Sequence, residues 1–289
     1  MGQIKRILIL GAHGMAGHMI NEYLRTKTSY EVYALSRNRP TSDKEICLDV
    51  RETIELEKII KSFHFDVIIN CIGLLNENAE KNIEKAIWLN SYFPHLLKMW
   101  SLNHNFKLIH ISTDCVFSGR DGGYNESSES DGIGIYARSK ALGEVLDDKN
   151  LTIRTSIIGP ELKSDGIGLF HWFMNQENKI MGYRKSIWSG VTTLQLAKSI
   201  TSILNSEITG IYHLTNNNPI SKAELLELFK KYTLKDIEIE NIDGKYSNKS
   251  LIDNRKLLLN EIPDYDQMIQ EMVRNIRSKR EVYPHYRIT

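Results

Sequence analysis

The sequence predicts an α/β protein: a doubly wound parallel sheet of the Rossmann type with a smaller α/β substrate-binding lobe. Three observations carry this. Short apolar runs alternate with amphipathic segments through the first half of the chain, a glycine triplet follows the first apolar run, and the alternation weakens after Gly159-Pro160. Strands that alternate with helices pair in parallel, because each crossover helix covers the face of the sheet it returns across.

Taken in order, residues 6–10 read as a strand, 15–25 as a helix, 31–35 as a second strand and 45–49 as a short third. Residues 54–63 read as a helix, 66–71 as a fully buried strand, 83–104 as one long helix and 107–112 as the next strand. The stretch 118–135 turns polar and glycine-rich, and a loop of that length inside a compact domain usually serves function. A helix over 136–146 and a strand over 151–155 resume the pattern, and helices over 193–204 and 221–232 then mix with short strands. The expected division is a dinucleotide-binding domain over 1–158 and a mainly substrate-binding lobe over 159–289, part of which returns to the sheet.

Composition narrows the class. With 41% hydrophobic and 25% charged residues in 289, the chain can bury a substantial core and is not of the disordered type. A formal net charge of +1 without a block of one sign gives no nucleic-acid surface. Cys47, Cys71 and Cys115 form no zinc-type pair, so no metal is expected and the thiols read as free in a reducing compartment. No run is long and apolar enough to span a bilayer. The opening Met1-Gly-Gln-Ile-Lys-Arg6 lacks the apolar region of a signal peptide and has Arg6 where myristoylation needs Ser or Thr. A cytoplasmic location is expected.

The glycine triplet is Gly11-Ala-His-Gly14-Met-Ala-Gly17, after a strand and at the mouth of a helix. Gly11 permits the tight turn, Gly14 admits a pyrophosphate to the backbone, and Gly17 allows helix and strand to pack closely. The phosphates then meet free N–H groups and the positive end of the helix dipole. Gly11, His13, Gly14, Met15, Ala16 and Gly17 are therefore candidate cofactor contacts. About 20 residues on, NAD-binding units carry an acidic residue for the adenosine ribose. Here the second strand ends in Ser36-Arg37-Asn38-Arg39. A hydroxyl and two guanidinium groups suit a 2′-phosphate, so Ser36, Arg37 and Arg39 favour NADPH/NADP+.

Tyr136-Ala-Arg-Ser-Lys140 sets a phenol and an ammonium one helical turn apart on one face. An ammonium beside a phenol lowers its pKa, which would make Tyr136 a usable proton donor and acceptor. Thr113 stands at the carboxyl end of a buried strand, where open α/β sheets bind ligands, and can hold a substrate carbonyl.

The stretches Ser112-Thr-Asp-Cys-Val-Phe-Ser-Gly119, Tyr124-Asn-Glu126, Tyr136-Ala-Arg-Ser-Lys-Ala-Leu-Gly-Glu144, Ile153-Arg-Thr-Ser-Ile-Ile-Gly159 and Gly190-Val-Thr-Thr-Leu-Gln-Leu-Ala197 resemble the dTDP-4-dehydrorhamnose reductase family. The resemblance implies reduction of the 4-keto group of a nucleotide-linked 6-deoxy sugar, dTDP- or UDP-linked, with Thr113, Tyr136 and Lys140 as the triad. It also implies that Asn70, Cys71, Ile72, Gly73 and Asn90 flank the cofactor and that Asp49 and Val50 meet the adenine. Candidate substrate contacts are Thr113, Asp114, Cys115, Phe117, Trp172 and Trp188. Cys115 stands where the rhamnose enzymes usually have Tyr. Trp172 and Trp188, with Lys179, Tyr183 and Arg184, give the lobe its own aromatic and basic character. The expected partners are the nucleotide-linked keto-deoxy sugar and, as one assembly, a second copy in a homodimer, with no nucleic acid and no membrane.

Two other readings stand beside this one. An NAD-dependent nucleotide-sugar epimerase or dehydratase would carry an acidic ribose contact, and the dehydratase an Asp-Glu pair after the catalytic Thr, where this chain has Asp114-Cys115. A non-catalytic NADP-binding regulatory subunit would have no need of an intact triad. Arg154 reads as an ion pair or a phosphate contact. Among the histidines, His110 reads as packed within its strand and His171, His213 and His285 as core or surface residues.

Overall fold

The computed structural model describes residues 4–258 and 262–288; Met1, Gly2 and Gln3, part of the opening read above as lacking a leader, lie outside them. The first half runs β1 (Arg6–Leu10), α1 (Met15–Lys27), β2 (Glu31–Ser36), β3 (Glu45–Cys47), α2 (Thr53–Phe63), β4 (Val67–Asn70), α3 (Asn76–Lys81) and α4 (Ile83–Ala86). A π-helical turn (Ile87–Tyr92) leads into α5 (Phe93–His104), followed by β5 (Lys107–Ile111), α6 (Ile135–Leu142) and β6 (Leu151–Arg154). The second half adds β7 (Ile157–Ile158), α7 (Leu169–Met174), β8 (Lys179–Tyr183), β9 (Ser186–Trp188), β10 (Val191–Thr192), α8 (Thr193–Ile203), β11 (Gly210–His213), β12 (Ile220–Ser221), α9 (Lys222–Thr233), β13 (Glu238–Ile242), β14 (Ser247–Asn248) and α10 (Tyr265–Arg277).

Seven strands form one parallel sheet in the order β11-β6-β5-β4-β1-β2-β3. Its centre is apolar on both faces, as a parallel sheet covered by helices requires. Ile7, Leu8, Ile9 and Leu10 are fully buried, as are Ile68 and Ile69 beside them. Ile7 and Ile9 belong to a core shared with α1, α8 and α10, whereas Leu8 and Leu10 belong to one shared with α2 and α5. Each such side chain withdrawn from water contributes about 1.5–3 kcal/mol. The strand order reverses between β1 and β4, so their carboxyl ends open the crevice in which such sheets bind ligands.

Beyond β6, the small strands gather around β9, which pairs antiparallel with β12 and parallel with β14. A parallel pair joins β8 and β13. Strand β11 lies parallel to β6 at the edge of the main sheet. Among the described residues, no helix is long and apolar enough to cross a membrane.

Helices α3 and α7 are absent from the reading of the sequence, and three further elements differ from it. The helix expected over 83–104 is divided by the π turn, which inserts extra chain and turns Asn90 inward to full burial. The helix expected over 136–146 is α6 and stops at Leu142. Gly143 passes so close to the π turn that a Cβ there would lie 1.8 Å from the Asn90 carbonyl oxygen. Helix α10 is absent from that reading, although Asp264 caps it, accepting from Gln267 N–H at 2.8 Å, and Met268, Ile269, Met272, Val273 and Ile276 form a buried stripe.

Candidate active site

The glycine loop is held by backbone. Gly11 adopts φ +80, and its N–H donates to the Leu35 carbonyl at 3.0 Å. A Cβ on Gly17 would lie 2.2 Å from the Gly11 carbonyl oxygen, so only glycine lets α1 start this close to β1. Gly14 caps α1 without a side chain. Met15 reaches across to the Gly168 segment before α7. Ala16 is buried at the first turn of α1. His13 is held at the end of β2 by the Asn38 amide, 2.9 Å from its Nδ1.

At the same end, the Ser36 hydroxyl accepts from Asn38 N–H at 3.1 Å, and Arg37 and Arg39 are exposed. Asp49 accepts from Arg51 at 3.0 and 2.7 Å. That hydrogen bonding, with help from the Arg37 charge, holds its carboxyl down at about 2. Val50 beside it is buried.

The stretch after β4 that the resemblance sets beside the cofactor is tied in both directions. Asn70, fully buried, accepts from Ile72 N–H at 3.1 Å and donates to His110 Nδ1 at 3.1 Å. Asn90 accepts from Leu74 N–H at 2.7 Å and donates to the Leu74 carbonyl at 2.9 Å and to the Ser139 hydroxyl at 3.0 Å. One amide thus joins the loop to the helix that bears Tyr136 and Lys140. A Cβ on Gly73 would lie 3.4 Å from Asn90 Oδ1 and 3.9 Å from Lys140 Nζ, which places Gly73 against both. Burial pushes the Cys71 thiol up to about 12, so it is an inert neighbour of Lys140.

Thr113, Tyr136 and Lys140 converge at the carboxyl end of β5. The Thr113 hydroxyl donates to Asp114 Oδ1 at 3.1 Å and accepts from Cys115 N–H at 3.1 Å. Lys140 is buried, and its ammonium donates to the Ile111 carbonyl at 2.8 Å, 3.4 Å from His110 Nε2. Burial brings Lys140 down to about 8, with Glu144 and Cys71 opposing. The sequence reading has Lys140 lower the Tyr136 pKa, and the structure corrects this. The Tyr136 phenol is pushed up, by burial first and by the Cys115 thiol next, and the Thr113 hydroxyl opposes the rise. The Lys140 ammonium points to the Ile111 carbonyl instead. A phenol that keeps its proton at neutral pH is suited to giving it to an oxygen that gains charge.

The substrate-side residues divide. Asp114 is buried and pushed up by that burial, with Lys249 the first opposing charge. Burial raises the half-buried Cys115 thiol to about 11, and a hydrogen bond from Lys249 is among the groups that oppose it. Phe117 and Trp188, expected against substrate, are packing residues: Phe117 is fully buried and stacked on Tyr124, and Trp188 packs on Tyr265 in the core. Trp172 on α7 remains 39% exposed. Arg154 is an ion pair, holding Glu144 at 2.7 Å where both are buried, and it lies over the Phe117 ring. The basic residues of the lobe are also paired, Lys179 with Glu238 and Glu240, and Arg184 with Asp243.

Sequence reasoning missed Lys249. Residues 248–252 lie beside 119–124, with Asn248 N–H on the Gly119 carbonyl at 2.7 Å and Tyr124 N–H on the Ser250 carbonyl at 2.9 Å. This brings Lys249 over Cys115 from far along the chain, and no local pattern announces it.

Comparison with known proteins places the chain in a family. The model of the family described as RmlD substrate binding domain matches residues 5–277. The chain is 32% identical to dTDP-4-dehydrorhamnose reductase of Aggregatibacter actinomycetemcomitans over 157 residues, 52% of this chain and 51% of that protein, about half the length of each. It is 25% identical to the spore coat polysaccharide biosynthesis protein SpsK of Bacillus subtilis, over 85% of this chain and 86% of that one. In three dimensions it resembles dTDP-4-dehydrorhamnose reductase of Bacillus anthracis, solved in complex with NADP, with a TM-score of 0.81 at 22% identity, over 94% of this chain and 100% of that one. A family match over nearly the whole chain leads to one conclusion: this protein belongs to the RmlD substrate-binding-domain family.

Proposed function

We propose that the protein is an NADPH-dependent reductase of the 4-keto group of a nucleotide-linked 6-deoxy sugar, dTDP- or UDP-linked, serving surface polysaccharide precursor synthesis. The observation that carries this reading is the meeting of Thr113, Tyr136 and Lys140 beside Gly73 at the open end of β4 and β5. The residues fit NADPH. Gly11 and Gly17 permit the tight turn and the close start of α1, whose N-cap Gly14 puts no side chain over its first N–H groups, and the exposed Arg37 and Arg39 would receive a 2′-phosphate. Bound there, NADPH supplies a hydride to the carbonyl carbon.

The chain's own residues do the rest. Thr113 orients the carbonyl by a hydroxyl hydrogen bond, and Tyr136 transfers its phenolic proton to the carbonyl oxygen. Lys140 would hold the ribose side of the cofactor. Arg37 and Asp114-Cys115 speak against the NAD-dependent epimerase or dehydratase, and the intact triad against a purely regulatory subunit. We also assign a second copy of the chain as partner, on the exposed apolar face of α5. The test of substrate class is to offer matched 4-keto-6-deoxy sugars with and without a nucleotide diphosphate, in the presence of NADPH. Binding of the remote nucleotide aligns the carbonyl, so catalytic efficiency should be at least about tenfold higher with the nucleotide. Equal efficiency would refute the reading.

A further inference from the structure

Helix α6 carries Tyr136 at its second position, yet its own sequence supplies no cap. Its N-cap is Gly134, no side chain of the helix start accepts a capping hydrogen bond, and its first turn holds no acidic residue. The first N–H groups of a helix have no partner within it. Here they are met from 55 residues upstream. The Glu80 carboxylate accepts from Ile135 N–H at 2.8 Å and from Tyr136 N–H at 3.2 Å. Gly134 adopts φ +93, and a Cβ there would come 2.7 Å from Glu80 Oε1, so a glycine is needed for the carboxylate to reach the helix. At the other end His95 donates from Nε2 to the Leu142 carbonyl at 2.8 Å. An anion therefore faces the positive end of α6 and a donor its negative end.

Glu80 sits on α3, directly after the loop that Asn90 ties to α6. The helix is thus held from the cofactor side at its N-terminus and through Ser139 in its middle. Tyr136 has its own backbone N–H in the cap, so a shift of the first turn moves the phenol relative to Thr113.

We propose that Glu80 is a positioning residue for the proton donor: its carboxylate fixes the first turn of α6 and with it the reach of the Tyr136 hydroxyl. This rests on the assignment of Tyr136 as donor. Displacement of a reacting group by about 1 Å costs on the order of 10²-fold in rate.

The test compares wild type with Glu80→Ala, Glu80→Gln and, as control for the donor itself, Tyr136→Phe. It uses dTDP-4-dehydrorhamnose as probe and measures kcat, KM, NADPH affinity and the solvent deuterium isotope effect on kcat. Glu80→Ala should lower kcat by about 10- to 100-fold and raise the isotope effect, with NADPH affinity within about twofold of wild type. Glu80→Gln keeps an acceptor oxygen and should recover most of the loss. A purely structural cap would lower melting temperature and leave kcat and isotope effect of the folded enzyme alone. That result, or a Gln variant as impaired as Ala, overturns the proposal. Normal turnover by Tyr136→Phe would instead overturn the donor assignment, a separate failure.

Discussion

The chemistry rests on how burial sets two neighbouring groups. Tyr136 keeps its proton because its phenol is desolvated and faces the Cys115 thiol. Lys140 titrates at about 8 because burial disfavours its charge, and Glu144 and Cys71 restore only part of it. On the proposed assignment of Lys140 to the cofactor, the ammonium is charged and holds it below about pH 8, and above that the neutral amine holds it less well. NADPH affinity should therefore fall as pH rises from 7 to 9.5, and Lys140→Arg, which stays charged, should abolish the dependence. Fluorescence titration of NADPH across that range checks this, and a flat wild-type profile would remove Lys140 from the cofactor site. Lys249 belongs to the same scale. Its charge acts on both Asp114 and Cys115, so it faces the substrate side of the triad.

Elements show why part of the site could be read and part could not. The glycine loop, the strand-end Thr113 and the Tyr136/Lys140 pair lie within single strand–loop–helix units, where spacing alone states geometry. Glu80 and Lys249 reach the site through tertiary packing, across sequence separations that carry no periodic signal. The π turn is of the same kind: residues 83–104 read as one helix because one extra residue in a turn leaves the apolar pattern nearly intact. Helix α10, which the sequence reading omits, does carry a local signal in the Asp264 cap and the apolar spacing that follows. The face of α5 bears the assembly proposal. Tyr92, Met99 and Leu102 recur at helical spacing and are 52%, 49% and 63% exposed, and Leu142 stands beside them where His95 meets its carbonyl. Apolar side chains gathered this way mark interaction surfaces. Light scattering should give two chains for wild type and one for a Met99→Glu/Leu102→Glu double variant. A single chain for wild type would contradict the assignment.

At the scale of the molecule, the sheet was foreseeable and the placement of aromatic side chains was not. Continuous apolar strands between amphipathic helices admit few arrangements other than a covered parallel sheet. Phe117, four residues after Thr113, and Trp188, in the lobe, were both expected against substrate, yet both are buried in the interior. The Glu144–Arg154 pair, in which Arg154 lies over Phe117 and Glu144 accepts from the Ser112 hydroxyl, is a buried bridge whose loss of one partner typically costs about 3–5 kcal/mol. The whole arrangement presents one phenol to one crevice, and the central claim is that this phenol protonates a reduced carbonyl. The direct measurement is NADPH oxidation with a nucleotide-linked 4-keto-6-deoxy sugar by wild type and Tyr136→Phe, alongside NADPH affinity for each. Turnover by the Phe variant should fall about 10²–10⁴-fold while NADPH still binds. A Phe variant that reduces the sugar at nearly the wild-type rate would contradict the account.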